Sequence, residues 1–253
     1  MIELRHVYKS FGTREILHDV NLSVKDGETM VILGASGSGK STILKLIIGL
    51  MRPDAGEVLV DGKDMAILSE TELNEARRHM GMVFQYSALF DSLNIKENVA
   101  FGLRMHENLP EEEIDRIVAE KLRMVGLSDI ETLMPSSLSG GMKKRVSLAR
   151  AIALNPDMIL YDEPTAGLDP IMSTAISQLI RRMQREMKAT SVVVTHDMAS
   201  ANLVADRMAF LHEGSFLICG TPEELYASTD RRVLQFVNGW ETPEGPGKES
   251  EPV

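Results

Sequence analysis

Residues 34–42 read GASGSGKST, and they join one apolar run, ETMVIL (28–33), to another, STILKLIIG (41–49). No other stretch limits the fold so tightly. Glycines at 34, 37 and 39 suit neither a strand nor a helix interior, so the chain must turn there out of a buried strand and into a helix. The segment fits G-x-x-x-x-G-K-[ST] in full. Gly34, Gly37 and Gly39 let backbone N–H groups turn toward phosphate oxygens, and Ser36, Ser38 and Thr42 add their own N–H and hydroxyl groups to the cradle. Lys40 supplies a cation for the β- and γ-phosphates, and the Ser41 hydroxyl can ligate Mg²⁺. A dinucleotide fingerprint is excluded, because Thr42 stands where its third glycine belongs. The reading is a nucleoside triphosphate site.

The surrounding pattern is α/β. IELRHVY, DVNLSV, ETMVIL and EVLVDG in the first 62 residues read as strands, with turn signals at Asp26-Gly27 and Asp54-Ala55-Gly56. SETELNEARR reads as a helix with Ser69 and Glu72 at capping-box spacing, and GMVF (81–84) as the next strand. From about residue 86 to 140 the pattern is helical, including PEEEIDRIVAEKLRMVGL with acids in its first turn. A β/α core then resumes with helix MKKRVSLARAIALN, strand DMILYDEP, helix MSTAISQLIRRMQREM and strand SVVVTHD. RMAFLH and SFLICG read as a hairpin about Glu213-Gly214, and TPEELYA as a capped helix start. The expected organisation is one domain over residues 1–225 with a helical insertion at about 86–140, a C-terminal helix at 226–240 and a disordered, Pro/Gly/Glu-rich tail at 241–253.

Further chemistry sits at two strand ends. In MILYDEP, Asp162 is placed to hold the hydration shell of Mg²⁺, and Glu163 to polarise a water in line with the γ-phosphate. His196, ending SVVVTH, is a donor to that phosphate or an orienter of the water, provided its strand lies beside the P-loop strand. An isolated Asp-Glu pair or lone His would carry no such weight; the complete P-loop upstream gives it to them. His6, His18, His79, His106 and His212 are read as ordinary surface or core residues.

A second anion cradle then needs explaining. LSGGMKKR (138–145) opens a helix on small residues, leaving backbone N–H groups uncovered. LSGGM, the following ARAIALNPDMILYDEPTAGLD and VVVTHD together resemble the nucleotide-binding subunit of an ATP-binding-cassette (ABC) transporter, over roughly residues 1–225. The resemblance implies a P-loop NTPase with a RecA-like core, an antiparallel β sub-domain and a helical sub-domain. It implies ATP and Mg²⁺ as ligands, and two copies facing head to tail. Ser139, Gly140 and Gly141 of one copy would close on the ATP of the other, so two cradles serve two half-sites. Carried over by motif, Gln85 in GMVFQYS senses the γ-phosphate and Mg²⁺ and leads to the membrane subunit, Asp169 in AGLD crosses the dimer, and Phe11 in SFG stacks on adenine, with Tyr8 as its substitute. Met142 departs from the family's usual Gln and cannot reproduce an amide's hydrogen bonds. LSGGM, FQYSALFDSLNIKENVAFGL and RRVLQFVNG are similar to the lipid-transport branch, which implies a permease and a Mce-type lipid-binding protein as partners.

Composition sets the remaining limits. A net charge of −10 argues against a general nucleic-acid binder. The lone Cys219 allows no intramolecular disulfide and is expected in the core of a late strand within a reducing compartment. The N-terminus has no apolar signal core, and LKLIIGLM (44–51) is too short to span a bilayer. The expected location is the cytoplasmic face of the inner membrane, reached through permease subunits. Leu89, Phe90, Leu93, Val99 and Phe101 are candidates to line a groove for a permease helix, or to pack within the helical insertion. Val233, Phe236, Val237 and Trp240 form a helical stripe that packs on its own domain or reaches the partner copy. Three other readings stay open: an ABC ATPase for another solute, a soluble ABC assembly factor, and a P-loop kinase or GTPase.

Overall fold

The computed structural model describes residues 1–238. Its backbone begins with a hairpin, β1 (Ile2–Phe11) and β2 (Arg14–Val24), whose turn is tightened until Phe11 pairs with Arg14. β3 (Thr29–Leu33) leads through the glycine loop into α1 (Lys40–Ile47). β4 (Ala55–Val60) and the short β5 (Lys63–Asp64) complete an antiparallel sheet in the order β2-β1-β4-β5. Ala55 and Gly56, expected in a turn, lie inside β4. Gly56 has φ +88°, and a Cβ there would stand 2.1 Å from the His6 carbonyl oxygen, so the β1 bulge at His6 presses on a position that only glycine can occupy.

α2 (Glu70–Arg78) carries the expected capping box, with Ser69 and Glu72 bonded reciprocally. β6 (Met80–Val83), α3 (Ile95–His106), α4 (Glu111–Met124) and α5 (Gly140–Ala151) follow, then β7 (Met158–Asp162), α6 (Pro170–Met187), β8 (Thr190–Thr195) and α7 (Met198–Val204). β9 (Arg207–His212) and β10 (Ser215–Gly220) form the expected hairpin, and α8 (Pro222–Tyr226) and α9 (Arg231–Asn238) end the described chain. The second sheet runs β10-β9-β3-β8-β7-β6, parallel except for the edge strand β10.

β3 has all five residues buried, as a parallel strand covered on both faces must. Its side chains divide by the period of two: Met30 and Ile32 face a core shared with α1 and the antiparallel sheet, while Val31 and Leu33 face a core shared with α3 to α7. β7 and β8 divide alike, with Leu160 and Val194 on the first side and Tyr161 and Val193 on the second. The glycine loop therefore grows from the strand that separates two hydrophobic cores.

Three expectations are modified. Cys219 lies on the edge strand β10 and is exposed. Val99 is fully buried in the helical core, so it cannot line an open groove. Val233 and Val237 of α9 are buried in that same core, and Phe236 sits 4.8 Å from Phe210, so the described part of the terminal stripe packs on its own domain. Trp240 and the tail at 241–253 lie outside the described residues. Among the described residues no helix is long and apolar enough to cross a membrane.

Candidate functional site

The cradle is built from the end of β3 outward. Gly34 passes so close to β9 that a Cβ would stand 2.5 Å from the Leu211 carbonyl oxygen. Gly39 caps α1 at φ +107° without a side-chain bond, which leaves the first-turn N–H groups of α1 facing the loop. The Ser38 hydroxyl is buried with no hydrogen-bond partner among the described residues. Lys40 folds back along the loop: its Nζ donates to the carbonyls of Gly34 (2.8 Å) and Ala35 (3.0 Å) and lies 3.6 Å from Glu163 Oε1. Burial lowers the Lys40 pKa, against the opposing pull of Glu163 and Asp162.

Neighbouring strands deliver the acids. β8 lies between β3 and β7, so the ends of β7 and β8 meet the loop from one side. Asp162 Oδ1 accepts from the Ser41 hydroxyl at 2.8 Å. Glu163 turns into the left-handed region (φ +46°), its N–H donating to the Val194 carbonyl at 3.0 Å, and its carboxylate is nearly buried. Its Oε2 meets His196 Nδ1 at 3.0 Å. The strand adjacency that the reading of His196 required is present, with β3 and β8 paired in parallel.

These groups open on a cavity of about 430 Å³ lined by Phe11, Arg14, Ile16, Ser36, Gly37, Gly39, Lys40, Ser41, Thr42, Gln85, Glu163 and His196. Phe11, 48% exposed, is its aromatic wall. Tyr8 instead packs edge-on against His18. Gly34, Ser38 and Asp162 do not line it, but Gly34 and Asp162 accept hydrogen bonds from Lys40 and Ser41, which do. Arg14 and Ile16 were not foreseen; they reach it because the tight β1–β2 hairpin sets Arg14 opposite Phe11, a register with no local sequence signal.

Ser139, Gly140, Gly141 and Asp169 do not line this cavity. Ser139 Oγ caps α5, accepting from the Met142 N–H at 3.3 Å, and Asp169 Oδ1 caps α6, accepting from the Met172 N–H at 3.0 Å. A Cβ on Gly141 would meet the terminal methyl of Met172 at 2.4 Å, the flexible end of a side chain that can swing aside. Met142 packs its thioether against the helical core, an apolar use of the position.

A phosphate cradle between a parallel strand and a helix, faced by two carboxylates from the end of the next strand but one, defines a P-loop ATPase. Comparison with known proteins agrees: the family model described as ABC transporter matches residues 17–166. The chain belongs to the ABC transporter family. It is 46% identical over 239 residues to the intermembrane phospholipid transport system ATP-binding protein MlaF of Haemophilus influenzae, covering 94% of this chain and 90% of that one. It is 45% identical to the probable ribonucleotide transport ATP-binding protein mkl of Mycobacterium tuberculosis (strain H37Rv), covering 94% of this chain and 66% of the other. Among solved structures, the dimeric ATP-binding cassette MJ0796 in a post-hydrolysis state with ADP and Pi superposes with a TM-score of 0.80 at 37% identity, over 87% of this chain and 98% of that chain.

Proposed function

We propose that this chain is the ATP-hydrolysing subunit of a transporter that moves phospholipids between membranes, working as a head-to-tail pair at the cytoplasmic face of an inner membrane with a permease and a Mce-type lipid-binding protein. The observation that carries the cargo is the 46% identity over nearly the full length to a phospholipid transport ATPase. The chemistry rests on the cradle itself. Gly34, Ser36, Gly37, Ser38, Gly39, Lys40, Ser41 and Thr42 bind the phosphates of ATP, and Phe11 stacks on its base.

The donor set suits Mg²⁺: Ser41 Oγ and Asp162 Oδ1 already converge at 2.8 Å, both are hard oxygen ligands, and Gln85 lines the same cavity. Bound there, the ion would neutralise charge on the β- and γ-phosphates. Glu163 Oε accepts the proton of the attacking water, His196 holds Glu163 through Nδ1, and Lys40 exchanges its loop carbonyls for phosphate oxygens. Ser139, Gly140, Gly141 and Asp169, which stand away from their own chain's cavity, serve the cavity of the second copy. Phe90 and Phe101, with rings 4.6 Å apart and each about two-fifths exposed, offer with Leu89 and Leu93 an apolar surface for a permease helix.

A second reading keeps the ATPase and changes the cargo, because a ribonucleotide transport relative is 45% identical. The deciding experiment tags the protein in its native cell, extracts membranes in mild detergent and identifies co-purifying proteins and lipids by mass spectrometry. A multi-spanning permease with a Mce-type protein and phospholipid is the expected result. A permease with a different binding protein and no lipid would remove the phospholipid cargo, and soluble partners alone would remove the transporter.

A further inference from the structure

The segment Phe84–Ala88, between β6 and the cavity, is wound more tightly than an ordinary loop. Ser87 and Ala88 carry φ of +62° and +47°, which residues with a Cβ adopt only when held. Local bonds supply part of the hold: the Ser87 N–H donates to Phe84 O (3.1 Å) and the Ala88 N–H to Tyr86 O (2.7 Å). Helix α5 supplies the rest. Lys144, 5% exposed, donates Nζ to the backbone carbonyl of Gln85, and Arg150 donates to the carbonyls of Ser87 (2.9 Å) and Ala88 (2.6 Å). Two cations of one helix thus take three backbone acceptors of one tight turn.

Lys144 is the unusual member. A buried ammonium is costly unless it is hydrogen-bonded and charge-balanced. Its hydrogen bond goes to Gln85, and burial lowers its pKa against the more distant pull of Glu163 and Asp162. The helix that carries it begins at Ser139-Gly140-Gly141. One side chain therefore ties that helix to the Gln85 backbone. A lysine suits the task because its stem can cross the packed layer while a single charged head makes the bond.

We propose that Lys144 is a positioning residue that fixes Gln85 at the edge of the nucleotide cavity and makes residues 84–88 move as one body with the helix that opens at Ser139. This rests on the ATPase reading above. The test uses the full chain with Lys144→Met, which removes the donor and the buried charge, and Lys144→Arg, which keeps both. Amide hydrogen exchange is followed across residues 84–90 without nucleotide, alongside ATP affinity and steady-state hydrolysis.

For Lys144→Met, exchange in residues 84–90 should rise at least about tenfold, because losing a hydrogen bond to a charged group is worth roughly that factor. Its kcat should fall about tenfold with ATP affinity within about threefold, the pattern of a lost transition-state contact, and Lys144→Arg should restore most of both. Unchanged exchange in Lys144→Met overturns the proposal whatever turnover does. Faster exchange with unchanged kcat also overturns it, since Gln85 would then need no positioning. Wild-type protein that binds ATP but hydrolyses none would remove the ATPase reading instead, and the exchange profile would still judge the coupling of loop to helix.

Discussion

Glu163 is held at three points: its N–H donates to the Val194 carbonyl, Oε2 meets His196, and Oε1 lies 3.6 Å from Lys40 Nζ. A nearly buried carboxylate fixed in this way has one rotamer in which to meet a water, and glutamine can keep the shape while losing the basicity. Glu163→Gln should therefore bind ATP within about threefold of wild type while turnover drops by about a hundredfold or more. Fluorescent-nucleotide binding and phosphate release would check this, and turnover near wild type would take Glu163 out of the proposed role. Lys40, Ser41, Asp162 and Glu163 were legible in the sequence because each lies within a few residues of a loop or strand end. Arg14, Ile16, Asn98 and Lys144 were not. Asn98, fully buried, bonds Phe90 N and the carbonyls of Phe90, Leu93 and Asn94, yet nothing around it in the sequence separates it from a solvated helix residue. Tyr161 likewise shows no sign in MILYDEP of the packing that buries it completely and raises its pKa.

Among the elements, α3 and α4 are tied at their exposed ends. Glu111, at the start of α4, accepts from Arg104 (2.7 and 2.9 Å) and Lys96 (2.7 Å) of α3, and Arg104 also grips Glu97. The Arg104 hydrogen bonds, then those of Lys96, hold the Glu111 pKa down to about 2. A carboxylate whose pKa is depressed on folding stabilises the fold above the ordinary glutamate range, and that stabilisation is lost as pH falls through its folded pKa. Glu111→Gln should therefore lower the unfolding midpoint slightly at neutral pH. The gap from wild type should close between pH 4.5 and about 2, and it should shrink in high salt because the network is exposed. Thermal unfolding of both proteins across that pH range would check the sign. The elements themselves were legible wherever local chemistry sets an end, as with the capping boxes at Ser69 and Thr221. The length of β1 and the placement of Gly56 within β4 depend on pairing across the sheet, which no window of sequence contains.

For the whole molecule, the telling feature is what a single copy fails to assemble. The Ser139 loop caps its own helix and stays away from its own cavity, so the proposed pair needs each chain to complete the other. Ser139→Arg should leave nucleotide binding by the free subunit within about threefold, yet block closure and lower turnover by about a hundredfold. A mixture of Ser139→Arg with Lys40→Ala chains should recover part of the activity, because one interface in the mixed pair keeps both an intact Lys40 and an intact Ser139. No recovery at any ratio would mean that the two sites are not shared. The same separation has a consequence for heredity. In a cell making equal amounts of normal and Ser139→Arg chains, random pairing would leave only about a quarter of the pairs fully normal. About half the pairs would keep one intact interface, so such a lesion weakens about three pairs in four, whereas one that merely unfolds the chain leaves every pair that forms intact.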